Sequence, residues 1–295
     1  MRILITGING MLGTSLNEAL AEKHEVYGLD IVNPGGGANN FTVDLTDFES
    51  TRKAVTKINP DLVIHTAALT DVDKCEREPD LAYKLNAIAT RNIAICCQRF
   101  DAALLYISTD YVFSGEPSQA PKDGYSEYDE ICPLSMYARS KYEGERYVKD
   151  LLTKFYITRT SWLYGAKRKN FVTQIADALK EGKSTNMAGD MVSCPTFVKD
   201  LAEAIARLIG SEKYGLYHLT NSGFASRYDI ALEISKMLGL PASGIKKVNV
   251  KDLVLPAVRP AFSAMKNYVW QLSGFEPVRP WQAAVREFLQ ENNYL

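Results

Sequence analysis

An α/β fold is predicted, a Rossmann-type doubly wound parallel sheet with a smaller C-terminal substrate-binding lobe. Three observations carry this. Short β-branched runs alternate with amphipathic helical windows through the first half of the chain. A glycine-rich turn, Gly7-Ile8-Asn9-Gly10-Met11-Leu12-Gly13, follows the first of those runs, and an acid, Asp30, closes the second.

In chain order, residues 3–6 read as a buried strand and 11–21 as the helix that the glycine turn opens. Residues 25–29 predict a second strand and 41–43 a short third, followed by a helix over 48–57. The fourth strand, 62–66, begins Leu62-Val63-Ile64, a continuous apolar run that suits a sheet covered on both faces. A long helix is expected over 79–98 and a fifth strand over 103–108. Residues 114–133, rich in Pro, Ser, Glu and Asp, exceed the usual connection length and predict a lid or binding loop. A helix over 135–152 and a sixth strand over 155–161 follow. The remainder mixes helices near 171–181, 198–209, 227–238 and 281–292 with a strand at 216–219. Strands separated by helices imply right-handed crossovers and hence a parallel sheet.

With 295 residues, 46% of them hydrophobic and 23% charged, the chain can bury a core without disulfide or metal staples. Lys and Arg number 34 against 35 Asp and Glu, so no whole-chain field draws it to nucleic acid or to an anionic membrane. A local basic pocket for a phosphorylated ligand stays open. No run approaches 18 apolar residues, and the Met1–Gly7 opening is too short for a secretory leader. The five cysteines, at 75, 96, 97, 132 and 194, lack regular spacing and predict free thiols in a cytoplasmic protein. Three histidines and no Cys/His cluster leave no expected metal site. No linker divides the chain. Residues 1–165 are expected to form the nucleotide-binding domain, with 195–222 returning to it, and 166–194 with 223–295 the substrate-binding lobe.

The turn has the G-x-x-G-x-x-G pattern, in which glycines allow positive φ and close approach of backbone to a pyrophosphate on a helix N-terminus. Asp30, 17 residues after Gly13, stands where a ribose-binding carboxylate belongs. It favours a free 2′-hydroxyl, and Ile31 and Val32 supply no Arg to balance a 2′-phosphate, so NADH is slightly favoured over NADPH. Asp44-Leu45 can approach the adenine, a simple turn being the plain alternative for Asp44. Gly7, Asn9, Gly10, Met11, Leu12 and Gly13 in the turn, with Ala67 and Ala68 after the fourth strand, complete the expected cofactor contacts.

Tyr137-Ala138-Arg139-Ser140-Lys141 is Y-x-x-x-K at the start of a helix, with both side chains on one face. A neighbouring ammonium lowers a phenol's pKa and makes it a usable acid, and the same Lys can bond cofactor ribose. The fifth strand ends in Ser108-Thr109-Asp110-Tyr111-Val112-Phe113, where a hydroxyl could bond a reacting carbonyl oxygen; Ser108 and Thr109 both qualify.

Gly7–Gly13, Ser108–Phe113 and Tyr137–Lys141 together resemble the extended short-chain dehydrogenase/reductase family. Arg159–Gly165, Asn170-Phe171, Cys194-Pro195-Thr196, Tyr217–Thr220 and Arg259-Pro260 narrow the resemblance to its reductases of dTDP-linked 4-keto sugars, from residue 1 to about 290. The resemblance implies Thr109, Tyr137 and Lys141 as the catalytic triad. It places Trp162 against the sugar, with Thr70, Val72, Tyr111 and Asn170 nearby; taken alone, Trp162 past the sixth strand is an apolar platform or an ordinary core residue. Three departures stand out. Met191 and Ser193 replace the family's Gln and Gly before Pro195-Thr196. Ser15 replaces a Glu linked in some relatives to a metal-bridged dimer, so no such metal is expected. The loop before Tyr137 is long and could reshape the sugar pocket.

The implied activity is reduction of the C4 ketone of a nucleotide 6-deoxysugar, with that sugar as small-molecule partner and a homodimer left open. Two other readings stand beside it. One is a non-catalytic dinucleotide-binding subunit resembling the regulatory subunit of methionine adenosyltransferase. The other is a nucleotide-sugar epimerase or dehydratase, for which Asp110 beside the threonine is the relevant residue.

Overall fold

The computed structural model describes residues 1–32, 39–118, 120–166, 169–252 and 255–295. The nucleotide half runs β1 (Arg2–Thr6), α1 (Met11–Leu20), β2 (Glu25–Asp30), β3 (Asn40–Thr42), α2 (Phe48–Ile58), β4 (Leu62–His65), α3 (Val72–Arg77), α4 (Pro79–Tyr83), α5 (Ala89–Phe100), β5 (Ala103–Thr109), α6 (Met136–Leu151) and β6 (Phe155–Thr160). Beyond it come β7 (Leu163–Tyr164), α7 (Phe171–Lys180), β8 (Thr185–Ala188), β9 (Val192–Ser193), β10 (Thr196–Phe197), α8 (Val198–Ile209) and β11 (Gly215–His218). The chain ends with β12 (Ala225–Ser226), α9 (Arg227–Leu238), β13 (Ile245–Val248), α10 (Tyr268–Leu272) and α11 (Trp281–Glu291).

Seven parallel strands lie in the order β3-β2-β1-β4-β5-β6-β11. The doubly wound sheet expected from the strand–helix alternation is therefore present, and its order reverses between β1 and β4. Alternation along β1 sends Ile3 and Ile5 to one face and Leu4 to the other, all fully buried. Ile3 and Ile5 join Leu16 of α1 and Ile205 of α8; Leu4 joins Val55 of α2 and Ile93 of α5. Each such side chain contributes about 1.5–3 kcal/mol by leaving water. A third core unites α7, α9 and α11 through Ile175, Ile234 and Phe288. The small sheets β8·β13 and β9·β12 lie with this third group of helices in the chain's second half.

Two elements differ from expectation. The single helix expected over 79–98 is split by a π-helical turn, Lys84–Ile88. In that turn Asn86 Oδ1 accepts from the Leu69 amide at 2.8 Å, while its Nδ2 donates to Leu69 O at 3.1 Å and Ser140 Oγ at 3.0 Å. The wider turn thus serves a clamp between the segment after β4 and α6, a use for which π-turns are suited. The long 114–133 loop is a strut, not a lid. The Tyr125 amide donates to Ala264 O at 2.7 Å, Lys266 N donates to Tyr125 O at 2.9 Å, and the Tyr125 ring stacks on Phe113 at 4.2 Å. These contacts fix the loop to the C-terminal segment, and no described residue of it lines the main cavity. No helix among the described residues is long and apolar enough to cross a membrane.

Candidate active site

A cavity of about 820 Å³ opens along the carboxyl ends of β1 to β6, across the point where the strand order reverses. Its nucleotide end is walled by Gly7, Gly10, Met11 and Leu12 after β1, Asp30 at the end of β2, Asp44 and Leu45 after β3, and Ala67 and Ala68 after β4. Thr70, Val72, Thr109, Tyr111, Tyr137, Lys141, Trp162 and Asn170 line the remainder. Residues scattered over the chain are brought into one space by the sheet topology.

The glycine turn is shaped by close approach. Gly7 has φ +69°, and a Cβ at Gly13 would lie 2.2 Å from Gly7 O. Gly13 therefore lies behind the cavity wall and lets α1 seat against the turn, rather than touching a ligand as expected. Asn9 also lies off the wall. Its backbone N donates to Asp30 Oδ2 at 3.0 Å and its Nδ2 to Val32 O at 3.1 Å. Asp30 Oδ1 accepts from Val32 N at 3.2 Å, so two amides orient the carboxylate toward the cavity. Asp44 Oδ1 accepts from both Thr46 N and Thr46 Oγ1, a turn that also places Asp44 on the wall. No side chain caps α1 at Gly10, which leaves its first amides and the positive end of its dipole for an anionic ligand. These features fit a dinucleotide, with a pyrophosphate at α1 and a ribose at Asp30.

At the other end, Ser135 caps α6 by accepting from Ala138 N, which fixes the turn carrying Tyr137 and Lys141. Burial pushes the Tyr137 phenol above its ordinary pKa, and the nearby Thr109 hydroxyl only partly offsets this. Lys141 does not dominate Tyr137, contrary to the sequence argument. It is itself pushed down to about 7 by burial, with Glu145 one turn on opposing the shift, and its Nζ sits 4.2 Å from the Tyr106 ring. The pair therefore meets neutral pH as a protonated phenol beside a partly neutral amine. Glu145 is clamped by Arg159 of β6 through two 2.8 Å bonds, both side chains fully buried, which ties α6 to the sheet.

Ser108 and Thr109 both line the cavity. Ser108 is buried and its Oγ has no hydrogen-bond partner, whereas Thr109 Oγ1 is engaged on both sides. Thr109 Oγ1 donates to Asp110 Oδ1 at 3.2 Å and accepts from Tyr111 N at 3.2 Å. Asp110 is buried, and its Oδ2 accepts from Ser193 Oγ at 2.9 Å and Ser263 Oγ at 2.5 Å. Desolvation outweighs these bonds and raises its pKa to about 6. Ser193, the departure from the family's Gly, is thus a hydroxyl that reaches the catalytic wall.

Trp162 lines the cavity in a left-handed conformation, φ +41°. One face of its indole is already covered by the Arg227 guanidinium, 3.7 Å from the ring centroid. Asn170 also has a structural role, since its Oδ1 caps α7 through Val172 N and Thr173 N, and its Nδ2 donates to Gly165 O. Tyr111 packs edge-on to Tyr137, its own pKa pushed up to about 12 by burial. Arg227, Phe171 and Gln174 also line the cavity and were not anticipated. The available signal for Arg227 was a cation in the first turn of a helix, where the dipole favours acids.

The chain matches the family model described as RmlD substrate binding domain over residues 1–294. It is 35% identical to the dTDP-4-dehydrorhamnose reductase of Streptomyces griseus, over 97% of this chain and 92% of that protein. It is 34% identical to the spore coat polysaccharide biosynthesis protein SpsK of Bacillus subtilis, over 99% and 98%. The crystal structure of dTDP-4-dehydrorhamnose reductase from Bacillus anthracis in complex with NADP superposes with a TM-score of 0.90 at 36% identity, covering 98% of this chain and 99% of that one.

Proposed function

The chain belongs to the RmlD family of dTDP-4-dehydrorhamnose reductase-like oxidoreductases, and from that premise we propose that it reduces the C4 ketone of dTDP-4-dehydro-L-rhamnose, or a closely related nucleotide 6-deoxysugar, with NAD(P)H. The observation that carries this reading is one cavity holding Thr109, Tyr137 and Lys141 at one end and the glycine turn with Asp30 at the other. Residues 1–165 with 195–222 are taken as the cofactor half, and 166–194 with 223–295 as the substrate half.

When bound, the reduced nicotinamide supplies hydride to the ketone carbon. Tyr137 gives its proton to the ketone oxygen, so the carbonyl gains one hydride and one proton and becomes an alcohol. Its raised pKa keeps that proton in place at neutral pH. Thr109 holds the oxygen beside the phenol, and the protonated fraction of Lys141 stabilises the phenolate that Tyr137 becomes. The dehydratase reading is weakened by Asp110, whose carboxylate is tied to Thr109, Ser193 and Ser263, and by the neutral Tyr111 that follows it.

The test is incubation with NADH or NADPH and a set of dTDP-4-keto-6-deoxy sugars, with the product identified by NMR. A C4 alcohol formed with matching cofactor oxidation is expected. Tight cofactor binding without turnover of any of these sugars would sink the reading and favour a binding subunit.

A further inference from the structure

Two cations are drawn into the protein near this cavity, and they are treated oppositely. Arg159 is clamped by Glu145 through two hydrogen bonds. Arg227 opens α9 and faces the cavity without a carboxylate in contact among the described residues, and its buried Nη1 has no hydrogen-bond partner. Two aromatic rings hold the guanidinium in place, with centroids 3.7 Å away in Trp162 and 3.8 Å away in Phe171. The nearest acid on its own helix, Asp229, is engaged in a capping box with Ser226. The positive end of the α9 dipole adds to the cationic field. Burial lowers the Arg227 pKa only to about 10, so it is charged at neutral pH. Arg227 is only partly buried, but its buried Nη1 is costly unless something anionic completes it.

The position of Arg227 identifies which anion. It rides on Trp162, just beyond β6, and its charge is felt by Tyr111 and Asp110 at the end of β5. The glycine turn follows β1, separated from β6 by β4 and β5. Three strand spacings put roughly 14 Å between those strand ends, but Met11 of α1 packs across to Gly165 in the cluster that holds Trp162 and Phe171, so a cofactor phosphate is the competing anion and NADPH affinity is measured beside that of the diphosphate. In a 4-keto hexopyranose the anomeric carbon lies across the ring from the ketone. A ketone held at Tyr137 therefore sets the anomeric phosphate one sugar ring away within the cavity that Trp162 and Arg227 also line.

We propose that Arg227 grips the diphosphate of a nucleotide-sugar substrate, with the Trp162 and Phe171 rings fixing the plane of its fork. The proposal rests on the substrate class given above and names the group that recognises it. A planar guanidinium can bond two phosphate oxygens at once, and stacking on aromatic faces limits its freedom before the ligand arrives.

The test uses the wild-type protein, Arg227→Met and Arg227→Gln, each saturated with NADPH and titrated calorimetrically with dTDP and with UDP. Both substitutions keep part of the aliphatic stem and remove the charge. At least a tenfold loss of affinity is expected for whichever diphosphate binds the wild type, with NADPH affinity and Tm unchanged. Arg227→Lys should fall between, since it keeps charge without the fork. Unchanged diphosphate affinity in both neutral variants, an equal loss of NADPH affinity, or no diphosphate binding by the wild type would each overturn the proposal. Arg227-dependent diphosphate binding with no turnover of 4-keto sugars would leave it standing while removing the substrate reading. Turnover with an unchanged KM in Arg227→Met would do the reverse.

Discussion

The two ends of the cavity are made in different ways. The nucleotide end is built around the glycine turn after β1, with positive φ at Gly7 and close packing at Gly13, and is completed by Asp30, Asp44 and Ala67 from the next strand ends. The reaction end is assembled from β5, α6, the segment after β6 and α9, with side chains doing the contacting. A turn shaped by backbone tolerates little substitution at its glycines, whatever side chains flank it. A side-chain site depends on distant segments and can change its ligand by single replacements. Four measurements would break or sharpen that contrast.

The largest effect is expected at the reaction end. Tyr137→Phe keeps the ring and removes the proton donor, so kcat should fall by about a hundredfold or more, while NAD(P)H affinity at the other end is kept. A variant with near-normal kcat would remove Tyr137 from the chemistry.

At the nucleotide end, Asp30→Ala should raise the kcat/KM ratio of NADPH over NADH by about tenfold, equivalent to ~1.4 kcal/mol. Relief of repulsion between the carboxylate and a 2′-phosphate is the cause. Steady-state kinetics with both cofactors measures it, and an unmoved ratio means Asp30 does not face the ribose.

Trp162→Ala should raise KM for the nucleotide sugar about five- to tenfold, the scale of a lost aromatic contact, because it also strips Arg227 of a platform. Dinucleotide affinity should hold. Loss of both affinities together would make Trp162 a core residue and erase the distinction between the two ends.

The smallest effect is a slope. Folded Asp110 holds its proton to about pH 6, against 3.8 for the ordinary carboxyl. Between those values the folded chain binds the extra proton, so stability rises as pH falls through the window, by at most about 1.4 kcal/mol per pH unit from this group. Asp110→Asn should flatten that part of the profile in urea melts taken from pH 4 to 7. An identical profile would show that Asp110 does not titrate there.

What could be read from sequence follows the same division. The sheet's strands were legible because their apolar runs are continuous; the expected 3–6, 25–29 and 216–219 became Arg2–Thr6, Glu25–Asp30 and Gly215–His218. The glycine turn and Asp30 were legible because their meaning lies in short spacings. α3 was missed, being only six residues long, and the π-turn has no periodic signature. Nor does any pattern announce Asp110 meeting Ser193 and Ser263, which lie 83 and 153 residues away. Arg227 falls between these cases: its place at a helix start was visible, but not the rings beneath it.

The left-handed backbone of Trp162 has its own consequence. A bulky residue at φ +41° works against its local conformational preference, and glycine would not. Selection on folding alone would therefore drift toward glycine at this position, and an indole can persist there only while the ring is needed. Trp162→Ala and Trp162→Gly both delete the ring, but only alanine inherits the unfavourable torsion. The glycine variant should melt at the higher temperature by the equivalent of about 1 kcal/mol, with the same loss of sugar binding. That gap would measure how far recognition at this one residue runs against the stability of the chain that carries it.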